Sequence, residues 1–167
     1  DERLWAMRNG YALPSHDGLL AISELLCCAS DEQLDGYRSL LRIGLHWNTQ
    51  VTLNGCRHLV SQAYCAALPV AYSRHAPQLW ESFARLILEA SYEATLLAAI
   101  INGRETGNRT CYLTLLGGGV FGNASDWIID AIQRALMLYA GTGIDVAIVS
   151  YGSSKRCVQQ IVDSWLI

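Results

Sequence analysis

Lysine is nearly missing from this chain of 167 residues: Lys155 is the only one among its 12 Lys and Arg side chains. The arginines are scattered and never run together, so no lysine or arginine cluster is available to hold an anion. Charge as a whole is scarce at 16%, against a usual ~25%. The net charge of −3 argues against a nucleic-acid partner, whose electrostatic footprint is basic. With 51% hydrophobic residues, disorder is excluded. No run reaches the ~18 uninterrupted apolar residues of a membrane span; the most apolar region, Ala94–Ile101, is short and preceded by Glu89 and Glu93. A basic segment followed by an apolar one is also missing, so no secretory signal is read. A cytoplasmic protein is expected, or one acting in a host cytosol if it is a secreted effector. The first residue is Asp rather than Met, which suggests a fragment or a processed form. Paired C-x2-C spacing is lacking, so the 6 cysteines read as reduced core thiols. A zinc site at Cys56, His58 and Cys65 is the alternative. Repeats, low-complexity segments and linkers are absent, and residues 1–167 read as one domain.

What is present is an alternation of strand-like and helix-like segments. Leu4–Met7 reads as a short strand, and residues 9–18, rich in turn formers, as a loop. Leu19–Ala29 reads as a helix. Ser30 to Gln33 has the S-x-x-Q form of a capping box, opening a second helix to about Gly44. Asn54-Gly55 is a turn signal, and Leu59–Tyr72, broken by Pro69, reads as a strand with an irregular exit. Pro77 opens the longest helix, about Gln78–Ile101, whose apolar residues recur at helical spacing, with Asn102-Gly103 as its stop. Cys111–Leu116 is a strand and Trp127–Ala140 a helix. Ile144–Tyr151 has the near-continuous apolar character of a buried parallel strand, and Ser154–Trp165 closes as a helix. Strands alternating with helices predict an α/β sandwich on a mostly parallel sheet.

The most informative stretch is the strand that runs into Gly117-Gly118-Gly119-Val120-Phe121-Gly122-Asn123, with a helix beyond. Glycines let the backbone approach a ligand closely, and the following helix adds free N–H groups and the positive end of its dipole. Together they form an anion site that needs no lysine. A close-packed turn is the alternative. Gly117-x-Gly119-x-x-Gly122 also satisfies the dinucleotide fingerprint literally. The next strand, however, ends in Ser150-Tyr151-Gly152, with no acid for a ribose, and Asp145 lies at its wrong end. A Gly-Lys-Ser/Thr phosphate loop is absent.

The order strand–GGGVFGN–helix–strand resembles the second phosphate loop of macrodomains, three-layer α/β/α sandwiches with a mixed sheet that bind ADP-ribose. Residues 59–167 follow that family's order throughout. Upstream, Asn9 followed by Asp17-Gly18 and a helix resembles the family's first, catalytic loop, with Tyr-Ala-Leu-Pro-Ser-His where a glycine run is usual. The segment Val60–Ser73, with the glycine loop, is most similar to the MavL-like, arginine-specific ADP-ribosyl hydrolase class. The strands that normally precede the first loop are missing, which implies a macrodomain lacking its N-terminal strands.

The resemblance implies roles. The N–H groups of Gly117, Gly118, Gly119, Val120, Phe121 and Gly122 would hold a diphosphate. Phe121 would lie over the phosphates or distal ribose, or anchor the loop in the core. Asn123 would be a helix N-cap or a ribose contact. Tyr151, past a strand's carboxyl end, is placed against adenine, or is a buried aromatic at a sheet edge. Asp17 would orient water or a ribose hydroxyl and stabilise the oxocarbenium-like charge as the glycosidic C–N bond breaks; it could also be an exposed turn residue. Asn9 would polarise ribose hydroxyls or merely shape a turn. Asp31 and Glu24 are reserve acids, with capping and a solvated face as the alternatives. His46 and Asn48 could border the cleft, and His16 could assist Asp17. The expected activity is hydrolysis of mono-ADP-ribose from protein at arginine, by a monomer without metal or cofactor. A non-catalytic ADP-ribose reader and a dinucleotide-binding α/β protein are the alternatives.

Overall fold

A computed structural model describes residues 4–165. Trp5–Arg8 (β1) and Tyr11–Pro14 (β2) pair antiparallel, with Arg8 opposite Tyr11. Between them Asn9 and Gly10 sit at φ 51° and 81°, the left-handed pair that a tight two-residue hairpin turn requires. Residues 9–18 are therefore not a loop: turn chemistry is confined to Asn9-Gly10, and His16–Cys27 is already helix (α1). Ser15 caps α1, its Oγ accepting from the Gly18 N–H at 3.0 Å.

The capping box of Asp31–Ser39 (α2) forms as expected, Gln33 Oε1 accepting from the Ser30 N–H at 2.8 Å and Ser30 Oγ from the Gln33 N–H at 3.3 Å. The helix does not reach Gly44. Arg42 Nη1 donates to the carbonyls of Ser39 at 2.7 Å and Leu41 at 3.1 Å, satisfying the orphan acceptors at the helix end. The chain then extends as Gly44–Gln50 (β3), antiparallel to Leu59–Tyr64 (β4), with Gly44 opposite Tyr64 and Gln50 opposite Leu59. A bulge between His46 and Thr49 holds Asn48 at φ 53°.

Pro77–Thr106 (α3) is a helix of 30 residues, about 45 Å long. It runs past Asn102-Gly103 because Asn102 works inside the last turns, where Thr106 Oγ1 donates to its carbonyl at 2.7 Å. Gly107, at φ 79°, ends it instead. Thr110–Thr114 (β5) and Asp145–Val149 (β6) pair parallel, with Ser125–Leu138 (α4) in the crossover, and Arg156–Trp165 (α5) follows. Around α3 pack α1, α2, α4 and β5. One continuous cluster runs from Leu19 through Trp80, Leu88, Leu96 and Ile132 to Ile161.

The architecture is thus mixed helix and strand, but the strands do not form one mostly parallel sheet. Three two-stranded sheets are present among the described residues, and only β5–β6 is parallel. The other pairs join consecutive strands, β1–β2 through the two-residue turn and β3–β4 through residues 51–58, connections too short for the crossover, such as α4, that a parallel pair needs. Nor is β6 buried throughout. Its residues alternate between exposed and half-buried, while on β5 Cys111 and Leu113 are buried and Tyr112 is exposed.

Two ionic networks tie the helices. Asp35 on α2 takes Arg38 at 2.6 Å and Arg134 of α4 at 3.1 Å, and these reach Glu89 at 2.7 Å and Glu93 at 2.8 Å on α3. Arg85 joins Glu81, Asp126 and Asp130. All 6 cysteines are free, but the expectation of core thiols holds only for Cys111, since Cys27 and Cys28 end α1 in solvent. Among the described residues no helix is long and apolar enough to cross a membrane.

Candidate functional site: the glycine loop

The exit from β5 is fixed before the glycines begin. The buried hydroxyl of Tyr92 on α3 donates to the Thr114 carbonyl at 2.8 Å and accepts from the Leu116 N–H at 2.9 Å. Burial raises this phenol above its ordinary range, so it stays a donor. The loop then turns, with Gly117 at φ 76° and Gly122 at φ 71°. A Cβ on Gly117 would lie 2.4 Å from the Ala67 methyl, and one on Gly122 2.8 Å from that of Ala71. Glycine is thus required at both ends, because the loop is pressed against the segment that leaves β4.

Hydrogen bonds hold that contact. The Ala71 N–H donates to the Phe121 carbonyl at 2.9 Å, the Asn123 N–H to Gly117 at 3.0 Å and the Gly122 N–H to Gly119 at 3.1 Å. Asn123 is buried, and its Nδ2 donates to the Leu68 carbonyl at 2.8 Å. This corrects the expected helix cap: Ala124 is the N-cap of α4 and carries no side-chain bond. The side chain of Asn123 instead shapes the loop from within, and its Oδ1 has no partner.

Among the described residues, the N–H groups of Gly119, Val120 and Phe121 find no acceptor within the protein. Gly118, Gly119 and Val120 are exposed, and α4 begins directly beyond. Three consecutive donors without a protein acceptor, ahead of an uncapped helix N-terminus, are backbone groups of the kind that bind anions. Phe121 is half-buried in an aromatic trio that sequence reasoning missed. Its ring meets Tyr11 of β2 edge-on at 5.8 Å and Tyr72 at 5.5 Å, and the two tyrosines lie 5.4 Å apart. The adjacency of Tyr72 to the Ala71 contact was the only local signal.

The other expected site residues scatter. Asn9 occupies the β1–β2 turn. The Asp17 carboxylate, in the first turn of α1, is 98% exposed and, among the described residues, bonded only to His16 Nδ1 at 3.2 Å. Gly18 beside it lets the Leu4 carbonyl close in, where a Cβ would lie 2.0 Å from that oxygen. The His16 ring stands 6.0 Å from His75, so the start of α1 neighbours the segment that carries Tyr72. Asp31 and Glu24 are exposed on α2 and α1, His46 and Asn48 on β3. Tyr151 is 107% exposed, which corrects the buried sheet-edge reading. An apolar cavity of about 410 Å³ opens elsewhere, between Leu96, Leu136, Ile148 and Trp165, and its aliphatic and aromatic lining does not suit a diphosphate. Among the described residues no group of three or more His, Cys, Asp or Glu could hold a metal ion. No protein-family model, no curated protein and no solved structure matches the chain.

Proposed function

We propose that the chain is a single macrodomain-like domain that binds ADP-ribose and hydrolyses mono-ADP-ribose from modified protein at arginine. The observation that carries this reading is the row of free N–H groups at Gly119–Phe121 ahead of α4. The diphosphate sits there, held by backbone dipoles rather than by lysine. The aromatic trio of Tyr11, Tyr72 and Phe121 flanks the ribose, and Asp17 approaches from the start of α1. Its carboxylate stabilises the positive charge that develops at the anomeric carbon as the C–N bond to guanidine breaks, while water attacks. Asn9, in the β1–β2 turn, and Asp31, at the start of α2, have supporting roles at most. The reading also takes β5 and β6 as strands of a three-layer α/β/α sandwich. The helices pack on the Cys111 and Leu113 side of β5, in keeping with one of its outer layers.

A reader without catalysis is the second reading, favoured by the near-complete exposure of the Asp17 carboxylate. Calorimetry with ADP-ribose tests both. Val120→Glu adds an anion beside these N–H groups at an exposed position and is expected to weaken binding by about tenfold or more with an unchanged circular dichroism spectrum. Equal binding of NADH, or an affinity indifferent to Val120→Glu, would sink the assignment. Asp17→Ala then separates the readings: a hydrolase loses turnover on ADP-ribosylated arginine and keeps its affinity, whereas a reader has no turnover to lose.

A further inference from the structure

Between Gly36 and Trp80 the sequence holds Arg38, Arg42, Arg57 and Arg74 and no Asp or Glu, in a chain of net charge −3. Arg38 is paired with Asp35 and Glu89. Among the described residues no carboxylate lies within ion-pair distance of the other three. Arg42 precedes β3 and Arg57 precedes β4, so they stand near opposite ends of a ribbon about 20 Å long.

The ribbon itself is unpartnered. Among the described residues neither β3 nor β4 has a second neighbour, so both outer edges present free N–H and C=O groups. Leu45, Trp47, Leu59 and Tyr64 are exposed along it. Its link to the body is Ser61, whose Oγ donates to Asn102 of α3 at 2.8 Å. At its far end β4 leads directly into Ala67 and Leu68, the residues that buttress the glycine loop.

We propose that the β3–β4 ribbon docks an extended, acidic peptide segment, the stretch of the protein substrate around its modified residue. The link to a substrate rests on the ADP-ribose reading; the docking strip does not. The occupant is defined by chemistry. An open strand edge offers alternating donors and acceptors, which a peptide backbone matches, whereas the phosphodiester groups of a nucleic acid only accept and leave the carbonyls unmatched. Arg57, and Arg42 through the nitrogens not bonded to the Ser39 and Leu41 carbonyls, select carboxylates on that peptide. A second copy of the chain fits poorly, because two ribbons pairing edge to edge bring the same cations together.

Fluorescence anisotropy with an unmodified peptide of alternating Glu and Val, and with its Gln counterpart, tests the strip. The acidic peptide is expected to bind about tenfold tighter at low salt, and the advantage to shrink as salt screens it. Arg57→Glu, at an exposed position without partners, is expected to abolish the preference while ADP-ribose affinity stays unchanged; Arg57→Lys restores most of it. Equal binding of the two peptides, or an Arg57→Glu protein that keeps the preference, overturns the proposal. So does tighter binding of a single-stranded oligonucleotide of equal charge, or a concentration-dependent dimer that Arg57→Glu dissolves. Acidic-peptide binding without any ADP-ribose binding upholds the strip and overturns the ADP-ribose reading alone.

Discussion

In the helical body Arg38, Arg85 and Arg134 each face two or more carboxylates, whereas Arg42 and Arg57 at the ends of the β3–β4 ribbon face none among the described residues. The same side chain thus has two different physical settings a short distance apart in sequence. Burial by itself lowers the affinity of Arg38 for its proton, but the hydrogen bonds and charges of Glu89 and Asp35 outweigh it and hold the guanidinium above its ordinary value. That charge is matched from within, and it joins α2 to α3 while Asp35 extends the link to Arg134. Arg57, and the part of Arg42 not bonded to the Ser39 and Leu41 carbonyls, remain available to whatever comes from outside. Cohesion and recognition are separated by which arginines find a carboxylate, not by how many arginines there are.

Removing the matched charge should have the largest effect. Arg38→Ala leaves Glu89 partly buried without its cation and is expected to lower unfolding free energy by about 2 kcal/mol, read from urea midpoints; a loss below about 0.5 kcal/mol would remove the distinction between body and ribbon. A second test uses the body's buried thiol. Burial pushes Cys111 up to about 11, whereas in the unfolded chain it ionises near ~8.5. Between these values the unfolded state releases a proton that the folded state retains, so stability falls as pH rises from about 8.5. Cys111→Val should flatten that decline in thermal unfolding scans, and an unaltered slope would count against it. The smallest effect is expected at the ribbon: Arg57→Ala should change stability by less than about 0.5 kcal/mol in the same urea titration.

The sequence was most legible where structure is local. The Ser30–Gln33 capping box, Pro77 at the head of α3 and the glycine loop between β5 and α4 each depend on a few neighbouring residues, and each stands where it was expected. The strand β3 was not legible, since nearly all of its residues are exposed and no apolar alternation marks a buried face. For β2 the Asn9-Gly10 turn was visible, but Pro14 and the polar residues after it masked the strand. The position of Asn123 could not be read at all, because its partner is the Leu68 carbonyl across the loop. The same holds for Tyr151, whose exposure depends on where β6 ends relative to everything else.

The bond from Asn123 to Leu68 spans 55 residues of chain, and it has a consequence for the order of assembly. The turns of α3 close over a few residues of chain, while the shape of the glycine loop waits until α3 has brought its two ends together. Contacts of such long separation carry the larger closure cost and form late. The loop should therefore acquire its shape after the turns of α3 and lose it earlier on warming, so its N–H groups exchange with solvent deuterium well before those of α3.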